Sequence, residues 1–169
     1  AGLSGKRLLL IHPGTSEFGS RKRWPLDRFA RLADSAHAEF GLYPVFILGP
    51  GERGWKDGLL AGVRSAPRMA LEPETLAHLG GMLARASCFV GCDSGPLHLA
   101  SSLRIPVVGL YGPTDPVLFA PYYPKAVVVV KGLPCKACGA PHCNHPNPRM
   151  EAISVDDVIA GLRLLFELT

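Results

Sequence analysis

At 169 residues, 47% hydrophobic and 19% charged, the chain is long enough for one domain with a substantial core and has no disorder signature. Its net charge of +4, with no basic run longer than Arg21-Lys22-Arg23, permits an anionic ligand and argues against nucleic acid. No apolar run reaches bilayer length, the opening AGLSGKRLLL lacks a signal-peptide layout, and five scattered cysteines suit a reducing compartment, so a cytoplasmic protein is expected.

Arg7–Ile11 reads as a first buried strand, and it starts so near residue 1 that a preceding piece of chain is expected. A long polar loop follows from His12 to Arg23. Pro25 suits the first turn of a helix whose apolar face is Leu26, Phe29, Ala30, Leu32, Ala33 and Ala36, ended by Gly41. Pro44–Leu48 is the second strand, Gly49–Gly54 a turn, and Trp55–Val63 a weaker helix. A short piece near Arg68–Leu71 reads as a third strand, and Pro73–Ala86 has helical spacing despite Gly80-Gly81.

The next stretch, CFVGCDSGPLHLASS from Cys88 to Ser102, organises the rest. An apolar strand breaks at Gly91 into a polar turn, then apolar residues resume at helical spacing, with Ser94 placed to cap and Pro96 in the first turn. Such a turn aims free N–H groups and the positive end of a helix dipole at one spot, where an anion would sit. Asp93, Ser94 and His98 cluster at its mouth, a set that a purely structural turn does not need. Pro106–Leu110 and Ala126–Val130 are further strands, the first ending in the turn Tyr111–Pro116. A Cys-, Pro- and His-rich loop spans Gly132–Arg149, and Ser154 caps a final helix through Leu168.

Strands alternating with helices imply an α/β, Rossmann-like, mostly parallel sheet with helices on both faces. Ligands of such sheets bind beyond the carboxyl ends of the strands. There the loops carrying Thr15, Ser16 and Lys22, then Glu52, then Asp93, Ser94 and His98, then Tyr111, Thr114 and Asp115, converge on one rim. Lys22 suits a diphosphate and Glu52 suits ribose hydroxyls. No G-x-G-x-x-G or Walker pattern is present, which disfavours a dinucleotide cofactor and P-loop hydrolysis. Cys135, Cys138, Cys143 and His145 offer four ligands for zinc, but with one C-x2-C pair and no standard second half-site. Cys88 and Cys92 read as small core residues.

The stretches HPGTSEFGSRKRWP, LGPGERG, GCDSGPLHLASSL and IPVVGLYGPTDP together resemble the carboxyl-terminal half of the bacterial lipopolysaccharide heptosyltransferases. These are the ADP-heptose-using glycosyltransferases of family 9, with the two-domain GT-B fold. The resemblance covers nearly the whole chain, and the Asp93–His98 segment is its most specific part. The Cys-rich loop also resembles one in many second-heptose transferases, although Met150 stands where a further Cys is usual.

The resemblance implies that residues 1–169 are a single donor-binding domain and that the amino-terminal acceptor domain lies outside this chain. Carried over by position, Lys22 meets the diphosphate with Thr15 and Ser16 close by, and Glu52 holds the ribose. Ser94 and Gly95 offer donors to phosphate, and Asp93 and His98 lie near the sugar. Lys22 and Asp93 are then the catalytic candidates. The implied reaction is inverting transfer of heptose from ADP-heptose to the lipopolysaccharide inner core, with no cofactor and with this fragment inactive alone. The partners expected are the nucleotide-sugar donor, a lipid-linked saccharide acceptor met through the other domain, and the inner membrane as a peripheral surface. Two rival readings stay open: a UDP-sugar glycosyltransferase domain, and a noncatalytic nucleotide-binding module stapled by zinc through Cys135, Cys138, Cys143 and His145. A regulatory nucleotide sensor is a third.

Overall fold

Short apolar runs punctuated by glycine, proline and polar turns each become one strand of a common sheet. The computed structural model describes residues 3–131 and 149–168. Among these, the strands are β1 (Leu8–His12), β2 (Tyr43–Ile47), β3 (Ala70–Leu71), β4 (Cys88–Cys92), β5 (Val107–Tyr111) and β6 (Ala126–Val130). Their spatial order is β3-β2-β1-β4-β5-β6. Every pairing is parallel. The weak third strand expected near Arg68–Leu71 is present as the two-residue edge β3.

Alternate residues of each strand feed opposite faces. Leu9 and Ile11 of β1 enter one core with Phe29, Leu32, Val90, Val108 and Leu162. Leu8 and Leu10 enter the other with Leu79, Phe89, Leu97 and Val107. Near-continuous apolar strands covered on both sides are what a parallel sheet requires.

The helices supply that cover. On the first face lie α1 (Leu26–Phe40), α2 (Lys56–Gly62) and α7 (Val155–Glu167), and on the second α3 (Leu76–Leu83) and α4 (Gly95–Ser102). Two short helices, α5 (Pro116–Phe119) and α6 (Arg149–Ala152), were not evident from sequence because four residues carry no periodicity. Pro25 sits at the N-cap of α1 and not inside its first turn, and Gly41 ends the helix in the left-handed region at φ 64°, where a side chain would be strained. The helix expected over Pro73–Ala86 is shorter, because Thr75 caps it by accepting from the His78 N–H at 3.1 Å. Ser154 caps α7 as expected, with Asp157 reciprocating.

One contact ties the chain's final segment to the loop after β1. Trp24 is buried, stacks edge-on against Phe29 with centroids 4.9 Å apart, and donates its indole N–H to the Ile153 carbonyl at 2.8 Å. Arg28 donates to the carbonyls of Glu151 and Ile153 as well. The Trp24→Phe variant keeps an aromatic ring against Phe29 and removes the indole donor together with part of the buried volume. Urea unfolding should show a loss of about 1–2 kcal/mol with an unchanged m-value; no change would mean that the bond does not anchor this segment.

Candidate functional site

The strand order reverses direction between β1 and β4, the switch point at whose carboxyl ends open parallel sheets bind ligands. His12, the last residue of β1, is in register with Gly91 of β4. Asp93 follows β4 directly, so the sheet itself places a carboxylate at the seam.

The loop after β1 reaches across to it. The Thr15 hydroxyl donates to the Gly19 carbonyl at 2.8 Å and accepts from Arg23 Nε at 3.1 Å. The Arg23 guanidinium stacks over the Trp55 ring, 5.0 Å from its centroid. Braced in this way, the 3-10 turn Glu17–Lys22 ends with the Lys22 ammonium 2.8 Å from Asp93 Oδ2. His98, on the first turns of α4, brings Nε2 to 3.2 Å from Asp93 Oδ1. The Asp93 side chain is only 6% exposed, and burial alone would raise its pKa. The hydrogen bonds from Lys22 and His98, the Lys22 charge and the nearby Thr114 hydroxyl outweigh burial and hold it below the usual carboxylate range. Burial, helped by the same negative charge, pushes the Tyr111 phenol up.

Ser94 is the N-cap of α4 in extended conformation, yet its side chain makes no capping bond. This corrects the expected capping role. The Ser94 hydroxyl instead lies 3.4 Å from His12 Nδ1. The Gly95 N–H is therefore without a side-chain acceptor, while Pro96 has no N–H and the Leu97 N–H donates to the Ser94 carbonyl at 3.1 Å; an open N–H at a helix start is where an anion is received.

His12 was not singled out from sequence, and the structure places it at the centre of a second polar chain. Its Nδ1 faces Ser94, and its Nε2 lies 3.9 Å from Glu52 Oε2. Burial lowers its pKa to about 4, so near neutral pH the contact with Glu52 joins a neutral imidazole to a carboxylate and is no ion pair. Glu52 itself is buried in the 3-10 turn Pro50–Trp55 and accepts from the Gly49 N–H at 2.6 Å. It presses against Gly14 so closely that a Cβ there would lie 2.3 Å from Oε1. A side chain at Gly14 would therefore displace the Glu52 carboxylate from its place against the β1 loop. The signals for both residues were in the sequence: a polar residue ending an apolar strand, and a glycine two positions on.

The structure accordingly brings Lys22, Asp93 and His98 into direct contact, and joins Ser94 to Glu52 through His12. The Thr15 hydroxyl is engaged inside its own loop, and Ser16 is exposed at the start of the 3-10 turn. Cys88 and Cys92 are buried in the core, and burial pushes both thiols up to about 12, which leaves them unreactive. Among the described residues no cluster of three metal-ligating side chains occurs; Cys135, Cys138, Cys143 and His145 lie outside those residues. Among the described residues, two grooves of about 700 and 760 Å³ lie beside α4 and α3 and are mainly apolar, and His98 lines the first of them.

The family model described as glycosyltransferase family 9 (heptosyltransferase) matches residues 2–147. Lipopolysaccharide heptosyltransferase 3 of Escherichia coli K12 is 27% identical over 147 residues, covering 85% of this chain and 42% of that protein. Among solved structures, E. coli ADP-heptose lps heptosyltransferase II superposes with a TM-score of 0.80 at 28% identity, over 97% of this chain and 47% of that one. The E. coli heptosyltransferase WaaC with ADP superposes with a TM-score of 0.73 at 22% identity, over 95% of this chain and 44% of that one, which speaks for the fold alone. The chain thus spans less than half the length of these relatives.

Both perturbed groups give the site an acid-sensitive contribution to stability. His12 takes up a proton near its ordinary value of 6.5 when unfolded but only near 4 when folded, so protonation favours unfolding. Its contribution is complete above pH 6.5 and disappears between there and pH 4, a loss of roughly 3 kcal/mol. Asp93, also depressed, adds stability above the unfolded carboxyl value that is lost lower, as pH falls through its folded pKa. Urea unfolding as a function of pH should show the first limb, and His12→Gln should flatten it; an unaltered limb in that variant would mean that His12 is not its source.

Proposed function

The chain belongs to glycosyltransferase family 9, the heptosyltransferases, and from that premise we propose that it is the donor-binding half of an inverting heptosyltransferase. The fold is one α/β half of the two-domain GT-B architecture. The donor proposed is ADP-heptose, the acceptor the lipopolysaccharide inner core. The observation that carries the reading is the Lys22–Asp93 contact at the β1–β4 seam, which sets an ammonium beside the uncapped start of α4.

A nucleoside diphosphate fits this arrangement end to end. Its phosphates meet the Gly95 N–H, the Ser94 hydroxyl and Lys22, and its ribose hydroxyls lie toward Glu52. The sugar then falls beside Asp93 and His98. As the acceptor oxygen attacks the anomeric carbon and the bond to phosphate breaks, negative charge grows on the leaving ADP. Lys22 and the Gly95 N–H at the helix start stabilise that charge where it develops, and the reaction needs no cofactor on this account. The acceptor surface and the group that deprotonates its hydroxyl belong to the other half of the fold. Closing the two halves supplies the orientation. The chain by itself therefore binds donor and does not transfer sugar. No helix among the described residues is long and apolar enough to cross a membrane, and we place the full enzyme in the cytoplasm, peripheral to the inner membrane where its acceptor is anchored.

Calorimetric titration with ADP tests the reading. ADP should bind the chain, and Lys22→Ala should weaken it by about 10- to 100-fold, the worth of a charge-assisted phosphate contact. Equal affinity would remove Lys22 from the site, and a preference for UDP over ADP in the same panel would favour the UDP-sugar reading.

A further inference from the structure

Thr114 lies in the turn after β5, and its hydroxyl is buried without a hydrogen-bond partner among the described residues. Folded proteins rarely leave such a group unsatisfied, because burying a hydroxyl with nothing to bond is unfavourable. Its surroundings are specific: the Asp93 N–H donates to the Leu110 carbonyl at 3.3 Å, which brings the end of β5 and the turn that carries Thr114 up to Asp93, and the hydroxyl, although not bonded to the carboxylate, favours its ionised form. The groups that face Asp93 are Lys22 from the β1 loop, His98 from α4, Thr114 from the β5 turn, and the neutral Tyr111 and Cys92 of the adjoining strands. Both carboxylate oxygens already have a donor, Oδ2 from Lys22 and Oδ1 from His98. Thr114 is the donor in reserve.

That reserve matters as soon as Lys22 has another use. A lysine that turns to a diphosphate leaves behind a buried carboxylate without its cation, a costly state unless another donor takes over. We propose that Thr114 is a positioning residue for Asp93, donating its hydroxyl to the carboxylate when Lys22 swings from Asp93 to the diphosphate of a bound nucleotide. The inference rests on the donor-site reading above. Thr114 touches neither nucleotide nor sugar; it fixes the orientation of Asp93 beside the sugar while the lysine is engaged.

Three variants of the chain, with ADP as the probe, test it. Thr114→Val keeps the shape and deletes the hydroxyl. It should weaken ADP binding about tenfold, the worth of one hydrogen bond to a charged group, while its melting temperature stays level or rises because an unsatisfied polar group is gone. Thr114→Ser keeps the donor and should bind ADP within about twofold of the unsubstituted chain. In a Lys22→Ala background no lysine leaves Asp93, so Thr114→Val should change the remaining ADP affinity by less than about twofold. Thr114→Val with unchanged affinity, or with the same loss in both backgrounds, overturns the inference and leaves the donor site standing. Failure of the unsubstituted chain to bind ADP overturns the donor site and the inference together.

Discussion

A carboxylate that leaves solvent must be met by a cation, and in this fold the cation comes from another loop. Asp93 is fixed at the seam by the strand that precedes it, and Lys22 reaches it from 71 residues earlier in the chain. Everything that shapes the β1 loop serves that reach: the Thr15 bonds, the Arg23–Trp55 stack, and Trp24 pinned beneath the final segment. Breaking the pair on one side strands a buried charge, which disfavours any conformation in which the loop drifts from the helix start. The ion pair therefore holds Lys22 beside α4 before any ligand arrives, and lowers the ordering cost of binding one.

The second polar chain, from Ser94 through His12 to Glu52, follows a different logic. Here a neutral imidazole replaces a salt bridge, because burial disfavours its protonation. Both chains meet the start of α4 at the β1–β4 seam, the first bringing an ammonium and the second hydroxyl and carboxylate groups. A diphosphate flanked by a ribose and a sugar has the matching order of charge and hydroxyl groups. The chain belongs to glycosyltransferase family 9 and spans less than half the length of its relatives.

Much of this was legible before the coordinates. The strands were readable because parallel strands covered on both faces are apolar runs bounded by turns, and even the two-residue β3 was found that way. The convergence of Lys22, Glu52, Asp93, Ser94 and His98 followed from the rule that loops at the carboxyl ends of parallel strands share one rim. Pairings inside that rim were not readable. Sequence placed Ser94 as a cap by residue type, whereas its hydroxyl turns to His12 and leaves the Gly95 N–H without a side-chain acceptor. His12 looked like the first residue of a loop, and only the β1–β4 register shows it between Ser94 and Glu52. Short helices such as α5 and α6 leave too few residues for a period. Which donor a buried carboxylate chooses is decided by tertiary distances, and periodicity carries no information about those.

The central claim is that one anion is gripped jointly by Lys22 and by the opened start of α4. Amide and lysine side-chain resonances followed during titration with ADP test it directly. The account predicts that the Gly95 amide and the Lys22 ammonium signals move together and saturate at a single dissociation constant. Shifts confined to residues away from this rim, with Gly95 and Lys22 unmoved at saturating ADP, would contradict it.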